Sequence, residues 1–324
     1  MCHLIYTDTF YMKRKWIRWV SWILLTPIIL FVILMVLLYV PPVQNLLRRE
    51  VTAYASKATG MQIQVERIDL RFPLNLLVRG VEVIQQPDTL LSLESLNVRV
   101  QAWPLIKGKV EVDEVTLSRV AVNSADLMEG MKIKGVLGRF FLQSHGVDLS
   151  NELAVINQVE LSDTHVQLLM NDTTTTPKDT TASAPINWKV ALHQLKLKNV
   201  SFSMQLPADS MRMAAHIGEA AIDDAQADLK NQYYDLKKFL LSGTSVSYDT
   251  GTAQPAEGFD ASHIAVRDIR IALDSLLYKG RDMNAVIREF TMNERSGLSV
   301  TSLTGRAYSN DSVICVPGLK LNTP

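Results

Sequence analysis

The stretch VEVDEVTLSRVAVN, from Val110 to Asn123, places its apolar residues at positions 110, 112, 115, 117, 120 and 122. These gaps of two and three residues scatter the apolar side chains around a helical wheel, so the stretch does not predict a helix. Regular alternation also fails, because Glu114 and Ser118 occupy places where a flat, half-buried strand would carry an apolar side chain. A β-bulge adds one residue to a strand and lets the apolar pairs on either side share one face. The stretch therefore predicts a bent strand with one apolar face; the alternative is a turn between very short strands in each three-residue gap.

The same two-three-two rhythm recurs along the chain. It is found at Ile63, Val65, Ile68, Leu70; at Leu91, Leu93, Leu96, Val98; at Ala154, Ile156, Val159, Leu161; at Val190, Leu192, Leu195, Leu197, Val200, Phe202; at Ile264, Val266, Ile269, Ile271; and at Ala285, Ile287, Phe290, Met292. The distances between these copies are uneven, which argues against a fixed-period solenoid or propeller. The pattern predicts a mainly β protein with a long, curved antiparallel sheet whose hairpins differ in length.

The stretch WVSWILLTPIILFVILMVLLYV, from Trp19 to Val40, contains 22 residues without a charge. At 1.5 Å per residue it would reach about 33 Å, which predicts a transmembrane anchor over residues 19–40. By the positive-inside rule, basic residues before the anchor place residues 1–18 in the cytoplasm and the bulk of the chain across the membrane. The apolar run ends without small residues typical of a cleavage site, so we expect the anchor to be retained. The residues expected at the membrane interface are Lys13, Arg14, Lys15, Trp16, Arg18, Trp19, Trp22 and Tyr39.

A short amphipathic helix is predicted over residues 41–60, directly after the anchor. Its apolar residues recur at helical spacing, and Gly60 supplies a left-handed C-terminal stop. They are Val43, Leu46, Leu47, Val51, Tyr54, Ala55 and Ala58. An apolar stripe more often faces a core, which favours a helix that caps the start of the sheet. The alternative is a helix that lies on the outer leaflet of the membrane.

The rest of the chain divides at a polar, threonine-rich stretch. NDTTTTPKDTTASAP, residues 171–185, has no large apolar residue apart from proline and predicts a flexible loop. It separates a first β segment, 61–170, from a second, 186–324. Residues 205–262 resist assignment, and Ala125 to Met131 are compatible with a helix that begins after Ser124.

Charge and motifs exclude several functional classes. The chain carries 33 basic and 33 acidic residues without a basic stripe, so we expect no nucleic-acid partner. Its six histidines are isolated, and no nucleophile, base and orienting group can be nominated together. We therefore expect no enzymatic activity, catalytic residue, metal site or cofactor. Cys2 and Cys315 fall on opposite sides of the predicted anchor, so they are not expected to pair with each other.

One region of the sequence resembles a known family. The stretch LLRREVTAYASKATGMQIQVERIDLRFPLNLLVRGVEVIQQPDTLLSLESLNVRVQAWPLIKGKVEVDEVTLSRVAV, residues 46–122, is similar to the N-terminal part of the AsmA-like and TamB (translocation and assembly module) proteins of Gram-negative envelopes. The similarity lies in the order and spacing of degenerate motifs over roughly residues 15–122: the anchor, the helix ending at Gly60, the GVEV strand, the Leu-rich strand at 90–100 and the turn before VEVDEV.

The resemblance implies an inner-membrane anchor followed by a β groove in the periplasm. Such a groove would be incompletely closed and would hold phospholipid acyl chains for transport toward the outer membrane. The residues expected to line it are Ile63, Val65, Ile68, Leu70, Leu91, Leu93, Leu96, Val98, Val110, Val112, Val115, Leu117, Val120, Ile156, Val159, Leu161, Val190, Leu192, Leu195, Leu197, Val200, Ile264, Val266, Ile269 and Ile271.

Two other functions remain open from the sequence. The first is a scaffold for outer-membrane protein assembly or secretion that acts through β-strand pairing. The second is a closed β-sandwich with a structural role, in which the apolar positions contact each other. TamB-like proteins are longer and end in a domain that meets an outer-membrane barrel protein. We therefore expect this chain to be a truncated portion of such a protein, with any barrel contact made through a missing C-terminal region.

Overall fold

A computed structural model describes residues 40–71, 74–106, 111–124, 130–148, 151–171 and 187–324. Within these ranges, no helix has both the length and the hydropathy required to cross a bilayer. The predicted anchor, except for Val40, lies outside the described residues. The same is true of the predicted flexible loop apart from Asn171, and of residues 125–129.

The described chain forms two helices and fourteen strands in a single sheet. The helices are α1 (Pro41–Thr59) and α2 (Ala102–Ile106). The strands are β1 (Gln62–Arg71), β2 (Asn75–Gln85), β3 (Asp88–Val100), β4 (Val112–Asn123), β5 (Met131–Asp148), β6 (Leu153–Met170), β7 (Lys189–Leu206), β8 (Met211–Asp228), β9 (Tyr233–Asp249), β10 (His263–Lys279), β11 (Asp282–Glu294), β12 (Ser299–Ser309), β13 (Ile314–Cys315) and β14 (Lys320–Asn322).

The sheet is long and curved, as the sequence rhythm predicts, and it is unclosed, as the resemblance implies. Strands β1 to β12 follow one another in chain order, and β13 and β14 both pair with β12. The purely antiparallel prediction is wrong at one place, because β6 and β7 pair in parallel from Leu153↔Lys189 to Leu169↔Gln205. That pairing places the two predicted β segments in the same sheet.

The closed β-sandwich does not form in the part of the chain that the structure describes. All its strands belong to one sheet, and every extensive contact joins neighbouring strands or α1 and β1. No second layer of described residues covers either face. The turn alternative for the opening stretch is also wrong, because β4 runs unbroken from Val112 to Asn123.

Bulges account for the three-residue gaps. Between Leu117 and Val120 the backbone of Arg119 is left-handed, with a φ of 47°. The second residue of two other gaps has the same conformation, Asn199 (φ 53°) and Asp268 (54°), and so do Asp163 (52°) and Asp224 (54°), which lie outside the apolar runs. Asn and Asp tolerate this conformation better than most residues, whereas Arg119 is an exception. The bulge prediction is confirmed.

The bulges are aligned from strand to strand. The cross-strand registers leave one residue unpaired at the same level in each strand from β1 to β9. We call this set of unpaired residues the bulge line. It consists of Glu66, Gly80, Glu94, Arg119, Gly138, Asp163, Asn199, Gly218 and Gly243. Neighbours along it interact: Arg119 forms an ion pair with Glu94, and Asn199 Nδ2 donates to Asp163 Oδ1 at 2.7 Å. Because a bulge bends a strand, an aligned set bends the whole sheet along one line.

Helix α1 covers the free edge of β1. Gly60 ends the helix with a φ of 70°, as predicted. The side that meets β1 is polar: Gln44 Nε2 donates to the Leu70 carbonyl at 3.2 Å, and Arg48 Nη1 donates to the Glu66 carbonyl at 3.0 Å. The helix thus caps the sheet through polar groups, and of the predicted apolar stripe Val43 and Ala55 are half-buried. Its exposed residues include Leu46 (58%), Val51 (46%) and Tyr54 (77%).

Residues 205–262, which the sequence left unassigned, contain two long strands. They are β8 and β9, joined by a turn at residues 229–232 and followed by an irregular segment before β10. Met131, placed at the end of a possible helix by the sequence, begins strand β5 instead. The alanines of β8 hide the strand from a pattern that counts large apolar residues.

Candidate functional site: an open apolar face

One row of side chains crosses the whole sheet and is entirely apolar. Directly paired residues on neighbouring strands place their side chains on the same face. Following the pairs from β1 to β14 gives the central row: Ile68, Val78, Leu96, Leu117, Phe140, Leu161, Leu197, Ala220, Leu241, Ile271, Phe290, Leu303 and Leu321. Its twelve interstrand steps of about 4.8 Å give a length of about 58 Å.

A second apolar row runs beside the central row on the same face. Its members lie two residues from those of the central row in most strands, which keeps them on the same side of the pleat. It comprises Leu70, Leu76, Val98, Val115, Leu142, Val159, Leu195, Ile222, Phe239, Leu273 and Ile287.

On the other side of the bulge line, a third row continues the apolar face. The bulge adds one residue to each strand there, so these side chains keep the same direction three residues away from the central row. They are Val65, Val81, Leu93, Val120, Leu137, Thr164 and Val200.

The apolar face is open rather than packed. Only eight apolar residues of the described chain are buried, and four of them, Ala154, Ala220, Ala272 and Ala285, are alanines. Most of the central row is half-buried, because among the described residues its side chains lie beside their neighbours in the sheet and no second layer covers them. A soluble domain normally buries such a surface against a second layer. This face therefore forms a groove with an apolar lining.

The opposite face is polar at the corresponding positions. One residue along from the central row, the paired positions read Arg67, Arg79, Ser95, Ser118, Arg139, Ser162, Lys198, Glu219 and Ser242. Exposed ion pairs occur on this face, among them Arg270 Nε to Glu289 Oε2 at 3.1 Å. The curvature of the sheet thus separates an apolar surface from a solvated one.

A shallow trough of about 490 Å³ runs over the neighbouring strands β6 to β10 near the edge of the groove. Its apolar members are directly paired across five strands: Val166, Phe202, Ala215, Val246 and Val266. Phe202 is 40% exposed and Val246 is 39% exposed, so large apolar groups there face solvent. Glu294, paired with Val266, ends this row on β11. Hydrogen bonds from Ser296 hold the pKa of the Glu294 carboxyl below its ordinary value.

The register brings together nearly all the residues predicted to line a groove. Members of the central, second and third rows account for most of them, and Ile63, Leu91 and Val266 lie in the row that includes the trough. Leu192 and Ile264 lie in outer rows, whereas Ile269 pairs with Thr244, next to the bulge line. Val110 and the predicted membrane-interface residues lie outside the described residues.

Sequence reasoning missed the lining contributed by β2, β5, β8 and β9. In β5 the adjacent Phe140 and Phe141 point to opposite faces, which masks the alternation. In β8 the central row is occupied by Ala220, which is small enough to escape a search for large side chains. Aligning each strand that has a weak apolar pattern with a neighbour that has a clear one would have identified the lining residues of β5 and β8.

The polar side chains do not form a catalytic or metal-binding arrangement among the described residues. No group of three His, Cys, Asp or Glu side chains converges there. In the His193–Asp224 pair, His193 Nδ1 and Asp224 Oδ1 are 3.0 Å apart, both side chains are exposed, and Asp224 lies at a bulge. The Asp260–His263 pair, also at 3.0 Å, closes the irregular segment before β10, and backbone hydrogen bonds from Ala256 and Ser262 lower the pKa of Asp260.

Two comparisons with known proteins gave no match. No protein-family model matches the chain, and no curated protein is significantly similar to it.

Proposed function

We propose that the protein holds phospholipid acyl chains in its apolar groove, in the periplasm, while anchored in the inner membrane. On this proposal it is an AsmA-like or TamB-like protein of envelope biogenesis and moves lipid toward the outer membrane. The observation that carries the proposal is the apolar central row, which crosses the sheet from Ile68 to Leu321 and has no described layer above it.

The energetic argument concerns the cost of exposing an acyl chain to water. Each methylene costs about 0.8 kcal/mol, so a sixteen-carbon chain needs shelter equivalent to roughly 12 kcal/mol. A short pocket shelters only part of such a chain. A continuous lining of about 58 Å offers apolar contact along the whole path, while a headgroup stays in water at the open side.

The uncharged stretch before α1 supports the location. Residues 19–40 have the length of a membrane-spanning helix, and basic residues precede them. The sheet begins only 22 residues after Val40, so one end of the groove would lie close to the membrane.

The test is site-specific photocrosslinking in the full chain in membranes. A photoreactive residue replaces Val115 or Leu195 on the apolar face, and matched controls replace the adjacent Thr116 or Lys196 on the polar face. The proposal predicts phospholipid adducts, identified by mass spectrometry, at the first pair and few at the second. Adducts with protein alone, or equal lipid adducts on both faces, would contradict it.

A scaffold for outer-membrane protein assembly is a second candidate, favoured by the edge at β12. Among the described residues this edge is covered only by the short strands β13 and β14, and Ile314 (79% exposed) and Leu321 (51%) face solvent. An exposed apolar edge is suited to adding a strand from a client or partner. Co-purification of a barrel protein that is lost on Ile314→Pro, without loss of bound lipid, would support this role.

A further inference from the structure

We propose that helix α1 lies in the headgroup region of the membrane, with Leu46, Val51 and Tyr54 inserted among the lipids. The proposal rests on the membrane anchoring included in the proposed function, and it adds a second membrane contact that fixes how the groove is oriented. Three observations on α1 carry it: how it contacts the sheet, what its other side exposes, and where it begins in the chain.

The contact between α1 and the sheet uses a polar stripe. Gln44, Arg48, Thr52 and Ser56 recur every four residues and are all half-buried. Arg48 Nη1 also donates to the Val65 carbonyl at 3.3 Å, and the Ile63 N–H donates to Ser56 Oγ at 3.1 Å. These bonds satisfy backbone groups at the free edge of β1. The apolar side of the helix is therefore not needed to hold the sheet.

The apolar residues of α1 lie nearly opposite this stripe. At about 100° per residue, Leu46, Tyr54 and Val51 span an arc of roughly 140°, whose midpoint is about 150° from that of the polar stripe. Tyr54 is 77% exposed and Leu46 is 58% exposed. Glu50 and Lys57 fall within the same arc and are also exposed, so this side carries apolar and charged groups together. Such a mixture fits the headgroup region, where apolar side chains meet lipid and charged ones stay in the polar layer.

The position of α1 in the chain indicates that a bilayer contacts its exposed side. The helix begins at Pro41, immediately after the 22 uncharged residues 19–40. If that stretch spans a membrane, the first turn of α1 starts at the interface. Arg49 and Lys57 are exposed and available to anionic headgroups. Tyr at the headgroup level is typical of membrane interfaces.

The consequence is a defined orientation of the groove. Helix α1, about 28 Å long, lies along the edge of β1. If α1 lies in the plane of the interface, the strands near it also run roughly parallel to the membrane, and the central row rises away from the bilayer from Ile68 onward. The β1 end of the groove would then open directly above the lipid headgroups.

The test uses an environment-sensitive fluorophore attached to single cysteines in the full chain, with Cys2 and Cys315 replaced by Ser. The labelled variants are Leu46→Cys, Val51→Cys and Tyr54→Cys. One control, Asn45→Cys, is exposed and adjacent to Leu46 but lies on the polar side of the helix; the other, Phe259→Cys, is 68% exposed and remote from α1. The protein is reconstituted in vesicles of phosphatidylcholine and phosphatidylglycerol that contain nitroxide-labelled lipid, and circular dichroism verifies the fold of each variant.

The expected result is a blue-shifted emission and severalfold stronger quenching at positions 46, 51 and 54 than at 45 and 259. Quenching at 46, 51 and 54 that does not exceed that at the two controls would overturn the proposal. Crosslinking at Leu195 in the same vesicles separates this outcome from the proposed function. Lipid adducts at Leu195 with water-exposed labels on α1 would reject the helix placement alone, whereas inserted labels without groove adducts would reject lipid carriage alone.

Discussion

The two faces of the sheet differ along the central row although they are built from the same strands. The central row has thirteen apolar residues, whereas the neighbouring row on the opposite face has nine polar ones. An alternating sheet normally buries its apolar face against another layer. Here the described chain supplies no such layer, and the apolar face remains half-exposed. The comparison teaches that an apolar face can form along a sheet without a second layer among the described residues.

The bulge line explains how this separation survives a bend. A strand that lost one residue of register would transfer its apolar side chains to the polar face. Because the extra residue occurs at the same level from β1 to β9, all the strands shift together and the apolar rows stay in one face. The bend and the apolar lining therefore depend on the same residues.

The largest expected effect comes from placing charge on the apolar face. Leu161 and Leu197 are directly paired in the central row, whereas Ser162 and Lys198, one residue along, are paired on the polar face. The double variant Leu161→Glu, Leu197→Glu would set two carboxylates against any bound acyl chain, and their desolvation costs several kcal/mol. We expect phospholipid bound in the groove to fall by about tenfold or more, since ~1.4 kcal/mol already corresponds to tenfold. Mass spectrometry of the purified full chain measures it.

The matched control is Ser162→Glu with Lys198→Glu, which adds the same residue type on the polar face. This control should leave the amount of bound phospholipid unchanged. Lipid held by the predicted anchor should be unchanged in both double variants. Equal losses in both double variants would show that the two faces do not differ in function.

A second test breaks the bulge line at a glycine. A Cβ at Gly138 would lie 2.7 Å from Asp163 Cβ, whereas a Cβ at Gly135 on the same strand would meet nothing closer than the His165 carbonyl at 3.5 Å. Gly138→Ala should therefore lower the free energy of unfolding by about 2 kcal/mol, because backbone or side chain must move. Gly135→Ala should change it by less than about 0.5 kcal/mol. Denaturant titration compares them, and similar losses would argue against a tightly packed bulge line.

The left-handed bulge at Asn199 gives a smaller effect. Its φ of 53° disfavours a β-branched side chain by about 1–2 kcal/mol. Asn199→Gly and Asn199→Val both lose the hydrogen bond to Asp163, so the loss of that bond cancels when their unfolding free energies are compared. The valine variant should be the less stable one. If valine and glycine were equally tolerated, the strand would not need the bulge at this position.

The smallest effect concerns Glu294, where a carboxylate ends an apolar row. Its folded pKa is lowered, chiefly by hydrogen bonds from Ser296. Because the folded pKa is lowered, the unfolded chain takes up the proton at a higher pH than the folded chain does. The stabilisation by the ionised Glu294 carboxylate is therefore present above the ordinary glutamate pKa of about 4.3 and is lost as the pH falls below it. Glu294→Gln should therefore flatten the decline in thermal stability between about pH 5 and pH 3. An unchanged pH profile in this variant would remove Glu294 from the explanation.

The rhythm of apolar residues predicted the bends because a bulge leaves a trace in a single strand. Leu117 and Val120 enclose two polar residues, and one of these, Arg119, takes the left-handed conformation. Gly60 likewise marks the end of α1 through its own backbone freedom. Such features are local, and the sequence displays them directly.

Other features could not be read from single strands. The parallel pairing of β6 and β7 follows the same apolar spacing as an antiparallel pair, so its direction leaves no mark in the pattern. Helix α1 was expected to cap the sheet with apolar residues, but an open strand edge presents N–H and C=O groups that polar side chains satisfy. Gln44 and Arg48 carry this signal, and it is recognisable only when the edge is known.

The most direct measurement is a residue-by-residue photocrosslinking scan through β7 in the membrane-embedded full chain, from Leu192 to Phe202. Lipid adducts should appear at 192, 195, 197, 200 and 202 and be weak at the positions between them, reproducing the two-three-two rhythm. Lipid adducts without this rhythm, or none at these five positions, would contradict an apolar groove that carries acyl chains.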